Sequence, residues 1–294
     1  MTRVTEQTVF ASLRQDVATA QVRALKAQEI ASSGMRVQRP SDDPVAFSRA
    51  AVMDAGLARL TSMKRSGQVV QQEFAASDTA LADAFGLMTR AREIAMLGAT
   101  DSLSADERNV LADEVDQLRM TLLSTANTQV AGTYVFGGYQ TRAAPFSAAG
   151  AYVGDSGARQ VEIAPGQSVT VNRPGNQIFT PVAGVDAFQL LQDLAFDLRA
   201  NDGAAVATHL NTLDTASTQI SDGRSALGLE ASRLVGAEST RTAIEETITS
   251  ARSDAVEADT VSSFSQLLES QTAMQAAIQE AARILAGLAN RWGA

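Results

Sequence analysis

The sequence predicts a mainly α protein: a long antiparallel helical bundle or coiled coil, formed by the N- and C-terminal regions, with a small β insertion domain. Two observations predict this class. All six prolines lie within residues 40–44 or 145–181, so 1–39, 45–144 and 182–294 are open to long helices. Apolar residues recur in those stretches at alternating steps of three and four, which is the period of helix packing.

The two chain ends are the first elements that this pattern identifies. Residues 1–40 are predicted to form an N-terminal helix that pairs with a C-terminal helix in 253–294. Large apolar groups are too few in the first helix to offset the backbone entropy of ordering it, so we expect both ends to be mobile until copies of the chain assemble. The predicted assembly seam is Phe10, Leu13, Val17, Phe264, Leu267, Met274, Ile278, Leu285, Leu288 and Trp292.

The middle of the chain is predicted to be a helical bundle in two parts, 41–136 and 184–252, with helix boundaries marked by capping residues. Asp43 precedes Pro44 as an N-cap, and Ser104 with Glu107 forms a Ser-x-x-Glu capping box. The predicted buried seam of the first long helix is Leu60, Met63, Gly67, Val70, Phe74, Ser77, Leu81, Ala84, Met88, Ala91 and Ala95.

Residues 137–183 differ in kind, because glycine and proline recur there between short alternating apolar runs. We expect strands at 151–153, 161–163, 169–171 and 178–179. So small an insertion is marginal alone and needs helices beneath it. As an outward appendage it is also expected to tolerate change, so that deletion of 141–182 spares assembly.

Composition argues against several classes of function. The net charge is −9 without a basic run, which disfavours nucleic acid and anionic membranes as partners. There is no cysteine, and His209 is the single histidine, with no metal-ligand spacing around it. We therefore expect no enzyme activity, no cofactor and no metal. No run is apolar enough for a membrane span or a signal-peptide core, so a dedicated export machine would carry the chain out of a cell.

The segment from Ser33 to Pro44 resembles the signature of flagellins and flagellar hook-associated proteins. In that superfamily one helix ends at a Ser-Gly pair, and a basic residue followed by Pro-Ser-Asp-Asp-Pro starts the next. The residues that match this turn, together with the arginine expected in the second helix, are Arg39, Pro40, Ser41, Asp42, Asp43, Pro44 and Arg49.

A second motif is similar to that of the hook-associated protein 3 family, in which a Gly-x-Tyr-x-Phe-Gly-Gly turn leads from the bundle into the insertion. The residues that match are Gly132, Tyr134, Phe136, Gly137 and Gly138, and residues 271–278 also resemble the terminal helix of that family.

This resemblance implies a secreted structural subunit at the hook–filament junction of a bacterial flagellum. It implies export in an unfolded state through the flagellar type III apparatus, with an export chaperone. The implied partners are the first hook-associated protein, flagellin and further copies of the chain in a helical ring. Flagellin itself is the nearest alternative, and a cytoplasmic coiled-coil adaptor is another. The number of copies per flagellum and recovery from sheared flagella distinguish the three.

Overall fold

The computed structural model describes residues 6–292, with side chains described for 8–286, and these residues are mainly helical. This confirms the predicted fold class. The helices are α1 (Glu6–Ser33), α2 (Pro44–Gly98), α3 (Ala105–Ala126), α4 (Ala187–Arg199), α5 (Gly203–Val256) and α6 (Thr260–Trp292). Strands β1 (Gln129–Val130) and β2 (Thr133–Tyr134) form one antiparallel pair, and β3 (Gln160–Ala164) and β4 (Gln167–Thr170) form another.

The predicted helix starts are confirmed by their hydrogen bonds. Asp43 Oδ1 accepts from the amides of Val45 and Ala46, at 3.2 and 3.0 Å, and so caps α2 in front of Pro44. Ser104 and Glu107 cap α3 reciprocally, as the capping box requires. Within the described residues 6–292, no helix is long and apolar enough to cross a membrane.

The chain divides into two compact units. The terminal unit comprises residues 1–58 and 245–294, and the central unit comprises 59–244, so α2 and α5 each contribute to both. The division into the five segments 1–40, 41–136, 137–183, 184–252 and 253–294 stays a prediction.

The central unit has one continuous apolar core. Every residue of the predicted α2 seam from Leu60 to Ala95 is buried, as the helical period requires. Insertion residues belong to this same core, among them the fully buried Phe146, Ile163 and Phe179. Because deletion of 141–182 would strip these side chains from the core, we no longer expect that deletion to be harmless.

Two of the expected strands are absent from the described insertion. Tyr152 forms only an isolated bridge with Phe146, and residues 178–179 follow a short 3-10 turn at Gly175–Gln177. The Phe179 amide donates to Gly175 O at 2.8 Å, and Phe179 O accepts from the Ala187 amide at 2.9 Å. Phe179 is thus buried ahead of α4, and its backbone groups bond to Gly175 and to Ala187, the first residue of α4, in place of a strand partner.

Two buried charged groups tie distant segments of the central unit together. The Arg108 guanidinium donates to Gly98 O at 2.9 Å, to Thr100 O at 2.6 Å and to Asn201 Oδ1, which joins the turn after α2 to the turn before α5. Glu73 on α2 pairs with Arg159, which precedes β3, and so fixes the insertion on the helices. The sequence pattern indicated neither residue, because their partners lie far away along the chain.

Candidate functional site

The turn between α1 and α2 is built by hydrogen bonds to two adjacent carboxylates. Helix α1 ends at Ser33, and Gly34 adopts a left-handed φ of 70°, which reverses the chain. Asp42 accepts from the amides of Arg39 and Gln38, at 3.1 and 3.3 Å, and from Lys26 Nζ at 3.1 Å. With Asp43 capping α2, both predicted acids of the turn act as hydrogen-bond acceptors that fix its shape.

These hydrogen bonds favour the charged forms of both acids. The Lys26 ammonium, followed by the amides of Arg39 and Gln38, holds the pKa of Asp42 below its ordinary value of 3.8. The Ala46 amide and then the Arg36 guanidinium lower the pKa of Asp43 in the same way. At pH values above the ordinary pKa of these carboxyl groups, their ionised forms therefore stabilise the folded turn. This stabilisation is lost as the pH falls through the lowered pKa values.

We therefore expect the turn to open selectively in acid. In an NMR titration, the Asp42 and Asp43 carboxyl carbons should show midpoints below 3.8, and the Arg39 and Ala46 amide shifts should move with them. In an Asp43→Asn control, whose amide oxygen still caps α2, the Ala46 amide should not move over that range. Midpoints at or above 3.8 would contradict this geometry.

Beneath the turn lies a small apolar cluster that joins it to the α5–α6 connection. Val37, Ala46, Ala50 and Val256 are buried together. The amides of Arg36 and Val37 both donate to Val256 O, at 2.8 and 3.2 Å. The turn is therefore bonded to the last residue of α5, while Pro40 and Ser41 in the turn and Arg49 on α2 are exposed.

Helices α1 and α6 pack against each other in the terminal unit, and α6 presents two parallel lines of residues. The inner line is buried or half-buried and consists of Ser263, Leu267, Ser270, Met274, Ala277, Ala281 and Ile284. The outer line is exposed and consists of Val261, Phe264, Leu268, Gln271, Gln275, Ile278, Ala282 and Leu285. Both lines step by three and four residues, as coiled-coil seams do, and neither contains a charged residue.

The predicted assembly seam is divided between these two environments. Leu13 and Val17 on α1 and Leu267 and Met274 on α6 are half-buried. Phe10, Phe264, Ile278 and Leu285 are exposed. The side chains of Leu288 and Trp292 lie outside the described residues.

The terminal unit lacks a core of large side chains. Among its described residues, the buried apolar ones are Ala24, Val37, Ala46, Ala50 and Val256, and no leucine, isoleucine, phenylalanine or methionine is among them. The central unit buries many such residues, including Phe136, Phe146, Phe179 and Phe188. Since apolar burial is the main force that holds a fold, the terminal unit gains less of this stabilisation in the single chain than the central unit does.

The turn from the bundle into the insertion contains the second predicted motif. Phe136 is buried, with its ring edge-on to Phe179 at a centroid distance of 5.4 Å, while Tyr134 is half-buried. Gly138 adopts a φ of 71°, and a Cβ atom there would collide with the backbone of Asp155; a Cβ on Gly137 would collide with Gln140 O. The Asn127 side chain holds this region, because its Oδ1 accepts from the Phe146 amide at 3.0 Å and its Nδ2 donates to Phe146 O at 3.1 Å.

The two glycines of this motif with left-handed backbone should differ in how well they accept a side chain. Gly132 has a φ of 81° with open space around it, so Gly132→Ala should cost only the backbone strain of about 1–2 kcal/mol. Gly138→Ala adds a collision with backbone and should destabilise the fold by about 3 kcal/mol or more. Denaturant unfolding of both variants measures this difference, and equal losses would contradict the packing described at Gly138.

His209 is half-buried on α5, and its Nε2 lies 2.7 Å from Asp197 Oδ2 on α4. The pair joins two neighbouring helices of the central unit.

Comparison with known proteins identifies relatives of this arrangement. Residues 4–141 match the family model described as the bacterial flagellin N-terminal helical region. Flagellar hook-associated protein 3 of Escherichia coli K12 is 30% identical over 182 residues, which cover 61% of this chain and 57% of that protein. The alignment thus spans little more than half the length of this curated relative.

Solved structures support the fold alone, at low sequence identity. A candidate flagellar hook-associated protein from Vibrio parahaemolyticus superimposes with a TM-score of 0.67 at 21% identity, covering 74% of this chain and 100% of that one. Xanthomonas campestris FlgL gives a TM-score of 0.60 at 22% identity, covering 68% of this chain and 99% of that one.

Proposed function

We propose that this chain is a member of the flagellin superfamily, related to hook-associated protein 3, and that it is a structural subunit of the hook–filament junction of a bacterial flagellum. It acts as a building block without catalysis. Its partners are the first hook-associated protein on the hook side, flagellin on the filament side, and neighbouring copies in a helical ring.

The observation that supports this proposal best is that the described part of the terminal unit buries only alanine and valine among its apolar residues. Its helices expose Phe10, Phe264, Leu268, Ile278 and Leu285 in the single chain. The outer line of α6 carries no charge, so copies of a chain with a net charge of −9 can bring these lines together without placing like charges in direct contact. Assembly then buries the side chains that the single chain leaves in water and completes the terminal unit.

The same deficit suits export through a narrow channel. Terminal segments without a large apolar core unfold at low cost, which favours their entry into the channel, and they complete their fold at the growing end of the flagellum. An export chaperone would cover the exposed apolar residues of α6 before transit. On this account the protein is extracellular and part of the flagellum.

Deletion of the gene, followed by electron microscopy, tests the junction role. We expect hooks without filaments and flagellin released into the medium, with both defects corrected by the intact gene. Normal filaments in the deletion strain would contradict the proposal. If the chain were flagellin, the deletion would remove the filament without releasing subunits, and a cytoplasmic adaptor would be missing from sheared flagella.

A further inference from the structure

An exposed aromatic side chain is held rigid at the edge of the central unit. Tyr139 is 66% exposed, yet its amide donates to Asp155 Oδ1 at 2.8 Å and its hydroxyl donates to Ala158 O at 3.1 Å. Its ring lies against Gly157, where any Cβ atom would collide with it. An exposed tyrosine fixed in this way loses little conformational entropy when a partner covers it.

An unpaired cation and an aliphatic side chain belong to the same segment. Arg142 is exposed three residues after Tyr139 and makes no ion pair with the residues that the structure describes. Val153 is also exposed, and its amide donates to Pro145 O at 2.8 Å, which keeps it beside this loop. Tyrosine and arginine are among the residues that contribute most to protein interfaces. We call Tyr139, Arg142 and Val153 the Tyr139 patch.

A groove of complementary chemistry lies between α2 and α5 in the same unit. It has a volume of about 250 Å³, and its floor is apolar, with Phe74, Leu227, Ala231 and Leu234. Glu238 lines one end, half-buried, and no ion partner for its carboxylate is found across the described part of the chain. Asp78 also lines the groove but is neutralised by Arg224, at 2.6 Å. The groove therefore offers an apolar floor and one uncompensated negative charge.

We propose that the Tyr139 patch of one copy docks into the α2–α5 groove of a second copy, with Arg142 of the first copy paired to Glu238 of the second. The patch supplies an aromatic ring and an unpaired cation, and the groove supplies an apolar floor and an unpaired carboxylate. The two surfaces are therefore complementary in apolar surface and in charge. The two surfaces differ, so the contact is heterologous and generates an open helical array or ring. It rests on the proposed assembly of copies and adds to it a second interface, in the central unit.

Cross-linking between copies tests the contact without background, because the chain has no cysteine. Gln140→Cys places a thiol beside the Tyr139 patch, and Ala75→Cys places one in the α2–α5 groove. The two full-length variants, mixed and treated with a short bismaleimide, should give a covalent dimer. Gln140→Cys mixed with Val110→Cys, an exposed position on α3, is the control. Dimer yield is scored in sedimenting and soluble fractions alike. If the Gln140→Cys and Ala75→Cys mixture gives no more dimer than the control mixture in either fraction, the proposal is wrong.

A charge exchange then tests the Arg142–Glu238 pairing. Arg142→Glu and Glu238→Lys should each lower the yield about tenfold or more, and the double variant should restore it to within about threefold of the parent. Circular dichroism melting checks that each variant is folded. If both single variants are folded and the double variant gives as little cross-linked dimer as either of them, the proposed pairing of Arg142 with Glu238 is wrong. Cross-linking is measured on purified protein, whereas the junction role is tested in cells by gene deletion. Either proposal can therefore fail while the other holds.

Discussion

Placing charges on the outer line of α6 is expected to abolish assembly while leaving the single chain folded. Phe264 and Leu268 are 51% and 65% exposed and belong to neither buried cluster, so a Phe264→Asp/Leu268→Asp variant leaves the buried residues of its own chain in place. In an assembly the variant forfeits the burial of the exposed part of two large apolar groups, about 2–4 kcal/mol, and must also desolvate two carboxylates. We therefore expect at least about a hundredfold weaker self-association, measured by sedimentation, and filamentless hooks in cells.

A matched pair of substitutions separates this effect from general damage. Val110 and Met120 on α3 are 68% and 51% exposed, close to the values for the α6 pair, but they belong to the central unit. The Val110→Asp/Met120→Asp variant should self-associate with an affinity within about threefold of that of the parent. Its substitutions lie on an exposed surface away from the outer line of α6, where they have small effects. If self-association were weakened equally in both variants, or in neither, the outer line of α6 would not be an assembly surface.

Loss of the Phe146 ring is expected to have the largest effect on stability. Phe146 is buried and contacts Tyr152, Phe179 and Phe188, at ring centroid distances of 5.1, 5.6 and 5.0 Å. Phe146→Ala should lower the free energy of unfolding by about 3–5 kcal/mol and the melting temperature of the central unit by roughly 6–20 °C.

Phe196 provides the control of the same residue type. It is 70% exposed on α4, so Phe196→Ala should leave the melting temperature almost unchanged. Calorimetry of the two variants compares them directly. A small loss for Phe146→Ala would show that the insertion does not share the core of the bundle, and would support the expectation from sequence that it is a separable appendage.

The sequence predicted well those features that depend on local periodicity and capping. The α2 seam was predicted residue by residue, because a helix with one covered face repeats its apolar residues at a fixed period. The predicted seam residues of α6 fall on both lines: Phe264 and Ile278 on the outer one, Leu267 and Met274 on the inner one. The spacing of apolar residues shows how wide the apolar face of a helix is, but not which edge of that face packs against the neighbouring helix.

Features that depend on distant partners could not be predicted from spacing. Arg108 and Glu73 look like surface charges in the sequence, and their burial follows only once Asn201 and Arg159 are brought beside them. Residues 178–179 have a strand-like pattern, but local hydrogen bonds to Gly175 and Ala187 replace the sheet partner that a strand would need. The Tyr139 patch depends on Gly157, whose lack of a side chain matters only in three dimensions.

Amide hydrogen exchange on the free and the assembled chain tests most directly whether the terminal unit is completed by other copies. In the free chain, amides of α1 and α6 should exchange with little protection, while the buried core of the central unit is protected to a degree that approaches global unfolding. After assembly, both terminal helices should become strongly protected. Strong protection of α1 and α6 in the monomer, unchanged on assembly, would contradict the account.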